Sequence, residues 1–323
     1  MLHITNGDHA NLALKQQGIE GRYLSWNDVL HDGPVPAELS LDEMSRIRAN
    51  FIHHCGWASV FEAQTHFQTR DAVFLSGAKE GEVVIWNSHE LYDQLHLLQL
   101  LGWYSSDEGR ALARPELVFV PHLISDAEEK LVSCFEQRTV VSDEQLAEAE
   151  ALWISFTGSN PRALAAMTQQ DMPALPFMQR AMQRFMEEYP DQNGVNRTER
   201  QVLAAVAAGQ SAPGQVFAAS QNAENPRFMG DSSFWLVVKR MVESDTPLLT
   251  TQNGQQFQVA GMFGPDETFM AQTLSLTLLG ESVLAGEGDW LQGHVIDRWL
   301  GGVHLNPDNI WRWDANAQQI SRG

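Results

Sequence analysis

The sequence predicts an α/β protein. An open, mostly parallel sheet with flanking helices comes first, then a helical linker, then a winged-helix-like α+β module. Three observations carry this. Strand, helix and strand fit within the first 26 residues, a compact βαβ unit. Three predicted strands each run straight into a polar loop: Asn6-Gly7-Asp8, Asn27-Asp28 and Asn87-Ser88-His89. Beyond residue 193, three helical patterns precede strand-like runs, the order of a winged helix.

The elements follow in order. Leu2–Thr5 is the first strand, and apolar residues from Ala10 to Leu14 mark a helix that Gly18 ends. Gly21 opens the second strand, which runs to Trp26, and Pro34 and Pro36 stiffen the loop after it. Ser40 and Glu43 form a capping box for a helix with Met44, Ile47 and Phe51 on one face. Cys55 to Gly81 is less regular and is expected to hold one short helix. Val83–Trp86 is a strand, Glu90–Trp103 a helix with a leucine stripe, and Pro115–Val120 a fourth strand.

Capping boxes at Ser125–Glu128 and Ser142–Gln145 open a helical region broken at Gly158, Pro161, Pro173 and Pro176. The Met-rich stretch Leu175–Tyr189 has the spacing of core filler. A polar break at 190–194 divides a ligand-binding domain (1–140) and helical linker (141–192) from the C-terminal module (193–323). In that module a capping box at Thr198 opens a helix over Val202–Ala208. Further helices are expected at Pro213–Ala219 and Ser232–Glu243, with strands at Leu248–Thr250, Phe257–Ala260 and Leu274–Thr277. In the tail, Gly301-Gly302 makes a turn or admits a close backbone approach. Arg298, His304 and Arg312 either wall a pocket or knit the module together by ion pairs.

Composition bounds the function. Hydrophobic residues make up 43% and charged residues 19%, which is globular and not disordered. A net charge of −20 disfavours nonspecific binding to phosphate backbones. Cys55 and Cys134 are isolated, and with no basic-then-apolar leader the expectation is a reduced, cytoplasmic protein. There is no apolar run of about 18 residues for a membrane span. HExxH, GxSxG and GxGxxG are absent, and His53-His54-Cys55 would point different ways on a helix. No metal site and no particular cofactor are expected.

If the strands are parallel, the three loops meet at one sheet edge, where open α/β sheets bind ligands. The expected ligand-binding residues are His3, Asn6, Gly7, Asp8, Gly33, Arg48, Trp86 and Asp93. Asp8 either leaves the helix amides free for an anion or caps them itself. Arg48 either clamps an anionic group or pairs with Glu43 or Asp42. His31, beside Asp28 and Asp32, and His89, four residues from Asp93 and so expected on one helix face with it, are the candidate proton shuttles, with Asp8 and Asp28 placing substrate or a divalent metal. His96, among leucines, reads as a core or surface residue.

At these residues the chain resembles a bacterial family described as a domain of unknown function. The resemblance lies in His3-Ile4-Thr5-Asn6-Gly7-Asp8 and in Asp28-Val29-Leu30-His31-Asp32-Gly33-Pro34-Val35-Pro36. Trp86–Gln94 and the tail Asp297–Leu305 also fit. It implies a two-part architecture and supplies no activity. The functional expectation is a protein that binds a small anionic, phosphate- or nucleotide-like ligand at the strand ends, with hydrolysis or group transfer as the reaction class if it is an enzyme. The alternative is a non-catalytic, ligand-sensing regulator whose C-terminal module contacts a protein or DNA partner or a second copy.

Overall fold

Four parallel strands, β1 (Leu2–Thr5), β2 (Arg22–Ser25), β3 (Val83–Asn87) and β4 (Glu116–Phe119), form a sheet in the order β2-β1-β3-β4. A short antiparallel strand, β5 (Thr139–Val140), closes its far edge. All residues of β1 and β3 are buried, as expected of central strands covered on both faces. The computed structural model describes residues 1–121, 124, 130–252, 254–261 and 264–323; the expected capping box at Ser125 lies outside them.

α1 (Asp8–Gln16) crosses from β1 to β2. Its Ala10, Ala13 and Leu14 form a core with Val84, Trp86 and Val118 of the sheet. α2 (Leu41–His54) starts on the expected Ser40–Glu43 box. α3 (Val60–Glu80) is a correction: where one short helix was expected, 21 residues form the longest helix described. Its buried positions Ala63, Phe67, Arg70, Asp71, Phe74, Gly77 and Ala78 follow helical spacing. Two are charged and three are small, so the stripe carries little hydrophobic signal. A Ser59–Glu62 capping box and left-handed Gly81 bound it.

α4 (Leu91–Tyr104) is buried on nearly every side, including Asp93, Gln94, His96 and Gln99. α5 (Asp107–Arg110), α6 (Leu131–Glu136), α7 (Asp143–Thr157) and α8 (Arg162–Met167) follow. In α9 (Met178–Met186), Met178, Met182 and Met186 are fully buried, consistent with core filling.

The chain divides into two units. Residues 1–183 with 299–303 form one, and residues 184–298 with 304–323 form the other. The helices after β5 up to residue 183 therefore belong with the sheet.

In the second unit α10 (Arg197–Ala207), α11 (Pro213–Asn222) and α12 (Asp231–Glu243) precede an antiparallel pair, β6 (Leu249–Thr251) and β7 (Leu274–Leu276). α13 (Glu267–Met270) lies between those strands and α14 (Leu278–Leu284) follows them. α10 starts earlier than expected, on an Asn196–Glu199 capping box. Thr198 instead gives its hydroxyl proton to buried Glu188 at 2.6 Å. The expected strand at Phe257–Ala260 does not form. Gln258 spends its backbone N–H and C=O on the Gln272 side chain, leaving no strand partner.

β8 (Arg298–Leu300), β9 (Val303–Leu305), β10 (Trp311–Asp314) and β11 (Gln319–Arg322) complete the chain as two small sheets. In the tail, Arg298 pairs with Glu188 at 3.0 Å and Arg312 with Asp289 at 2.8 Å, while His304 Nε2 lies 2.6 Å from the Asp297 carboxyl. Burial opposes the Glu188 charge, but Arg184 and Arg298 overcome it and hold the carboxyl down at about 2.

Candidate functional site

The chain leaves β1 for β2 on one side and returns as β3 on the other. The carboxyl ends of β1 and β3 therefore flank the point where strand order reverses, the usual ligand crevice of such sheets. A narrow crevice with room for about one water-sized group lies there. Thr5 and Asn6, Trp26 and Trp86, and Asp93 and His96 of α4 supply its polar and aromatic lining, and aliphatic side chains of β1, β3 and α4 the rest.

Two helices begin at these strand ends. α1 starts at Asp8 with Gly7 as N-cap, and no described side chain caps it. Asp8 is thus the first residue of the helix and not its cap; its carboxylate accepts a hydrogen bond from the Ser25 hydroxyl. A buried polar chain, Thr5 to Asn11 at 2.7 Å and Asn11 to Ser25 at 2.8 Å, ties β1, α1 and β2 together. α4 starts after Glu90, again without a side-chain cap. Both helix starts leave amide N–H groups and positive dipole ends at the same sheet edge.

Asp93 is the buried acid of the crevice. Its Oδ2 accepts the Ser88 N–H at 2.9 Å. Oδ1 receives no well-formed hydrogen bond from a described residue, although Asn6 lies near the carboxyl. Burial pushes the carboxyl up from its ordinary value, with Ser88 and Asn6 opposing.

His96 was not expected in the site. Its Nε2 lies 2.6 Å from the Asp28 carbonyl, which can only accept, so Nε2 carries the proton. Nδ1 is then a bare acceptor, with no hydrogen-bond partner among the described residues. Burial pushes the imidazole down to about 4, so it is neutral at physiological pH. The leucines around it mask its position from a sequence reading. The available clue is its spacing of three from Asp93, which puts both on one helix face.

These values give a test. A buried acid that titrates above its unfolded value favours folding below about pH 4, and that contribution is lost as pH rises through the folded value. Asp93→Asn keeps an acceptor for Ser88 and carries no charge. It is expected to raise stability at pH 8 by on the order of 1 kcal/mol, with the two proteins converging towards pH 4. Thermal melts across that range check this, and a wild type at least as stable as the variant at pH 8 contradicts it.

The other expected residues take different places. Arg48 is fully buried and has no donor left. Nε and Nη2 grip Asp28 at 2.8–3.1 Å, Nη1 reaches the Asp32 and Pro34 carbonyls, and Nη2 also reaches that of Val29. All five N–H groups go to the 28–34 loop, so it clamps the loop and pairs with neither Glu43 nor Asp42. Arg46 takes Asp42, at 2.6 Å. Asp28 is correspondingly buried in that pair. His31 is buried with its ring edge-on to Tyr92, centroids 6.3 Å apart.

His89 precedes α4. Glu90 is the extended N-cap, so the expected shared helix face of His89 and Asp93 does not exist; the His89 ring meets Phe177. His3 is sealed in the sheet: Nδ1 accepts from Trp86 Nε1 at 3.0 Å, leaving Nε2 to donate to the Glu20 carbonyl at 3.2 Å. Trp86, thus engaged, stacks on Phe135. Gly33 is left-handed (φ 76°), and a Cβ there would meet the Phe51 ring at 2.5 Å. The structure brings together Asn6, Gly7, Asp8 and Asp93 at the strand ends, with Trp86 lining the crevice beside them, and uses His3, Asp28, Gly33 and Arg48 in packing or loop clamping.

No family model and no curated protein matches this chain. The site therefore stands on its own geometry. Among the described residues, no three His, Cys, Asp or Glu side chains converge as metal ligands, and no helix is long and apolar enough to cross a membrane.

Proposed function

We propose that the first unit binds a small anionic, phosphate-bearing ligand at the β1/β3 edge. The observation that carries this reading is the pair of helix starts without side-chain caps, α1 and α4, at adjacent strand ends where the strand order reverses. Backbone N–H groups at Asp8–Ala10 and Leu91–Asp93 are the donors, and Asn6, in the crevice lining, adds a side-chain amide. Arg48 contributes through the loop it holds and not by touching the anion.

A self-capping variant tests this. Gly7 has an extended backbone that any residue adopts, and a Cβ there meets only Asn27 Oδ1, at 3.4 Å. In Gly7→Asp the new carboxylate caps the α1 amides. The variant is expected to gain a few tenths of a kcal/mol of stability and to lose binding of inorganic phosphate in isothermal titration. Phosphate binding equal to wild type in a folded Gly7→Asp protein removes the α1 start from the site.

A second reading concerns the second unit. Three helices followed by an antiparallel strand pair, with the Leu274 N–H bonded to the Ser211 carbonyl between α10 and α11, support a winged-helix-like module. On α12, Lys239 pairs with Glu243 and Arg240 with Glu199. Both cations are already neutralised, which favours a protein partner over nucleic acid for that helix.

A further inference from the structure

We propose that Asp93 and His96 form a hydroxyl-recognising half of the same site, so that the ligand is a phosphate ester with a free hydroxyl, of the polyol- or sugar-phosphate class. The inference rests on the anion reading above and extends it from the phosphate to the rest of the ligand. Both side chains line the crevice, and they stand three residues apart on α4. His96 Nδ1 has no hydrogen-bond partner among the described residues, and Asp93 Oδ1 has none of good geometry, with Asn6 near the carboxyl. Buried polar atoms in folded proteins are nearly always satisfied by protein, water or ligand.

The chemistry of these two atoms restricts what can satisfy them. The Asp28 carbonyl holds the imidazole proton on Nε2, so Nδ1 can only accept. The group facing it must donate a proton, which rules out a carbonyl or carboxylate oxygen. Asp93 is a carboxyl whose burial favours the protonated form, and that form has a proton to give. One hydroxyl satisfies both: its O–H donates to Nδ1 while its lone pair accepts from the carboxyl. An ammonium could donate to Nδ1 but offers no lone pair, and it would carry an unpaired charge into an apolar-walled crevice. The crevice is narrow, with room for about one water-sized group, which a hydroxyl matches; the carbon skeleton and the phosphate lie outside it, towards the helix starts.

Isothermal titration of the whole chain with inorganic phosphate, ethyl phosphate and glycerol 3-phosphate separates this inference from the reading beneath it. The expected result is that all three bind, with glycerol 3-phosphate tighter than ethyl phosphate by about tenfold. His96→Gln keeps an amide donor for the Asp28 carbonyl and removes the Nδ1 acceptor. It is expected to bind both esters alike, near the ethyl phosphate affinity. Equal affinity of the two esters for the wild type overturns the hydroxyl site and leaves the anion site standing, with water satisfying the two atoms. Failure of all three to bind overturns both. An undiminished preference in folded His96→Gln also overturns the hydroxyl site. The wild-type comparison decides the matter by itself if the variant does not fold.

Discussion

Arg48→Met is expected to cost about 3–5 kcal/mol, a large part of the stability of an ordinary domain. The side chain is fully buried and its five N–H groups all bond to the 28–34 loop. Methionine matches much of the volume and none of the donors. It leaves a buried Asp28 carboxylate without its partner, together with the Val29, Asp32 and Pro34 carbonyls. The carboxylate is the larger loss, because an uncompensated buried charge costs more than a missing hydrogen bond. Arg48→Met combined with Asp28→Leu is therefore expected to recover much of the stability. Urea denaturation of the three proteins measures this; a single variant within about 1 kcal/mol of wild type contradicts the clamp. Arg48→Lys, which retains charge and loses the planar fork, separates clamp from ligand contact. Where it folds, it is expected to bind phosphate like the wild type.

Gly302→Ala is expected to be comparably severe, by steric exclusion instead of charge. A Cβ on Gly302 would lie 1.6 Å from the Thr157 carbonyl oxygen, and one on Gly301 would lie 2.3 Å from that of Phe156. These are backbone atoms at the end of α7 and cannot rotate away. Gly302 N–H donates to the Phe156 carbonyl at 2.9 Å, and the Gly301 carbonyl accepts from Val35 N–H at 2.8 Å. One turn thus caps a helix end and anchors the loop after β2. Displacing it is expected to cost about 3 kcal/mol or more and to expose the Val35 amide to hydrogen exchange. A variant that melts with the wild type and keeps that amide protected shows that the backbone moves aside cheaply.

The sheet was legible in the sequence because β1, β3 and β4 are short apolar runs set between helical patterns, and a parallel central strand must be buried on both faces. α2 was legible for a local reason, its Ser40–Glu43 box. α3 was not, because Arg70 and Asp71 lie in its buried stripe. They pair with each other at 2.8 Å, and Arg70 also lies 3.9 Å over the Trp26 ring, a partnership that no local pattern announces. The candidate site shows the same divide. Its place at the strand ends follows from topology, and Asn6, Gly7, Asp8 and Asp93 are there. The roles of Arg48 and His96 depend on loop carbonyls at Asp28, Val29, Asp32 and Pro34. A carbonyl is the same atom in every residue, so composition carries no trace of which one faces a side chain.

The placement of residues 299–303 in the first unit has a consequence for synthesis. A ribosome that has finished residue 183 must add well over a hundred more before that segment emerges, which takes on the order of ten seconds. Throughout that interval the nascent sheet domain lacks the partners of the Val35 N–H and the Phe156 carbonyl. The last steps of its folding are therefore timed by elongation, and chaperone occupancy on stalled chains should fall when the stall site moves past residue 303 and its exit from the tunnel.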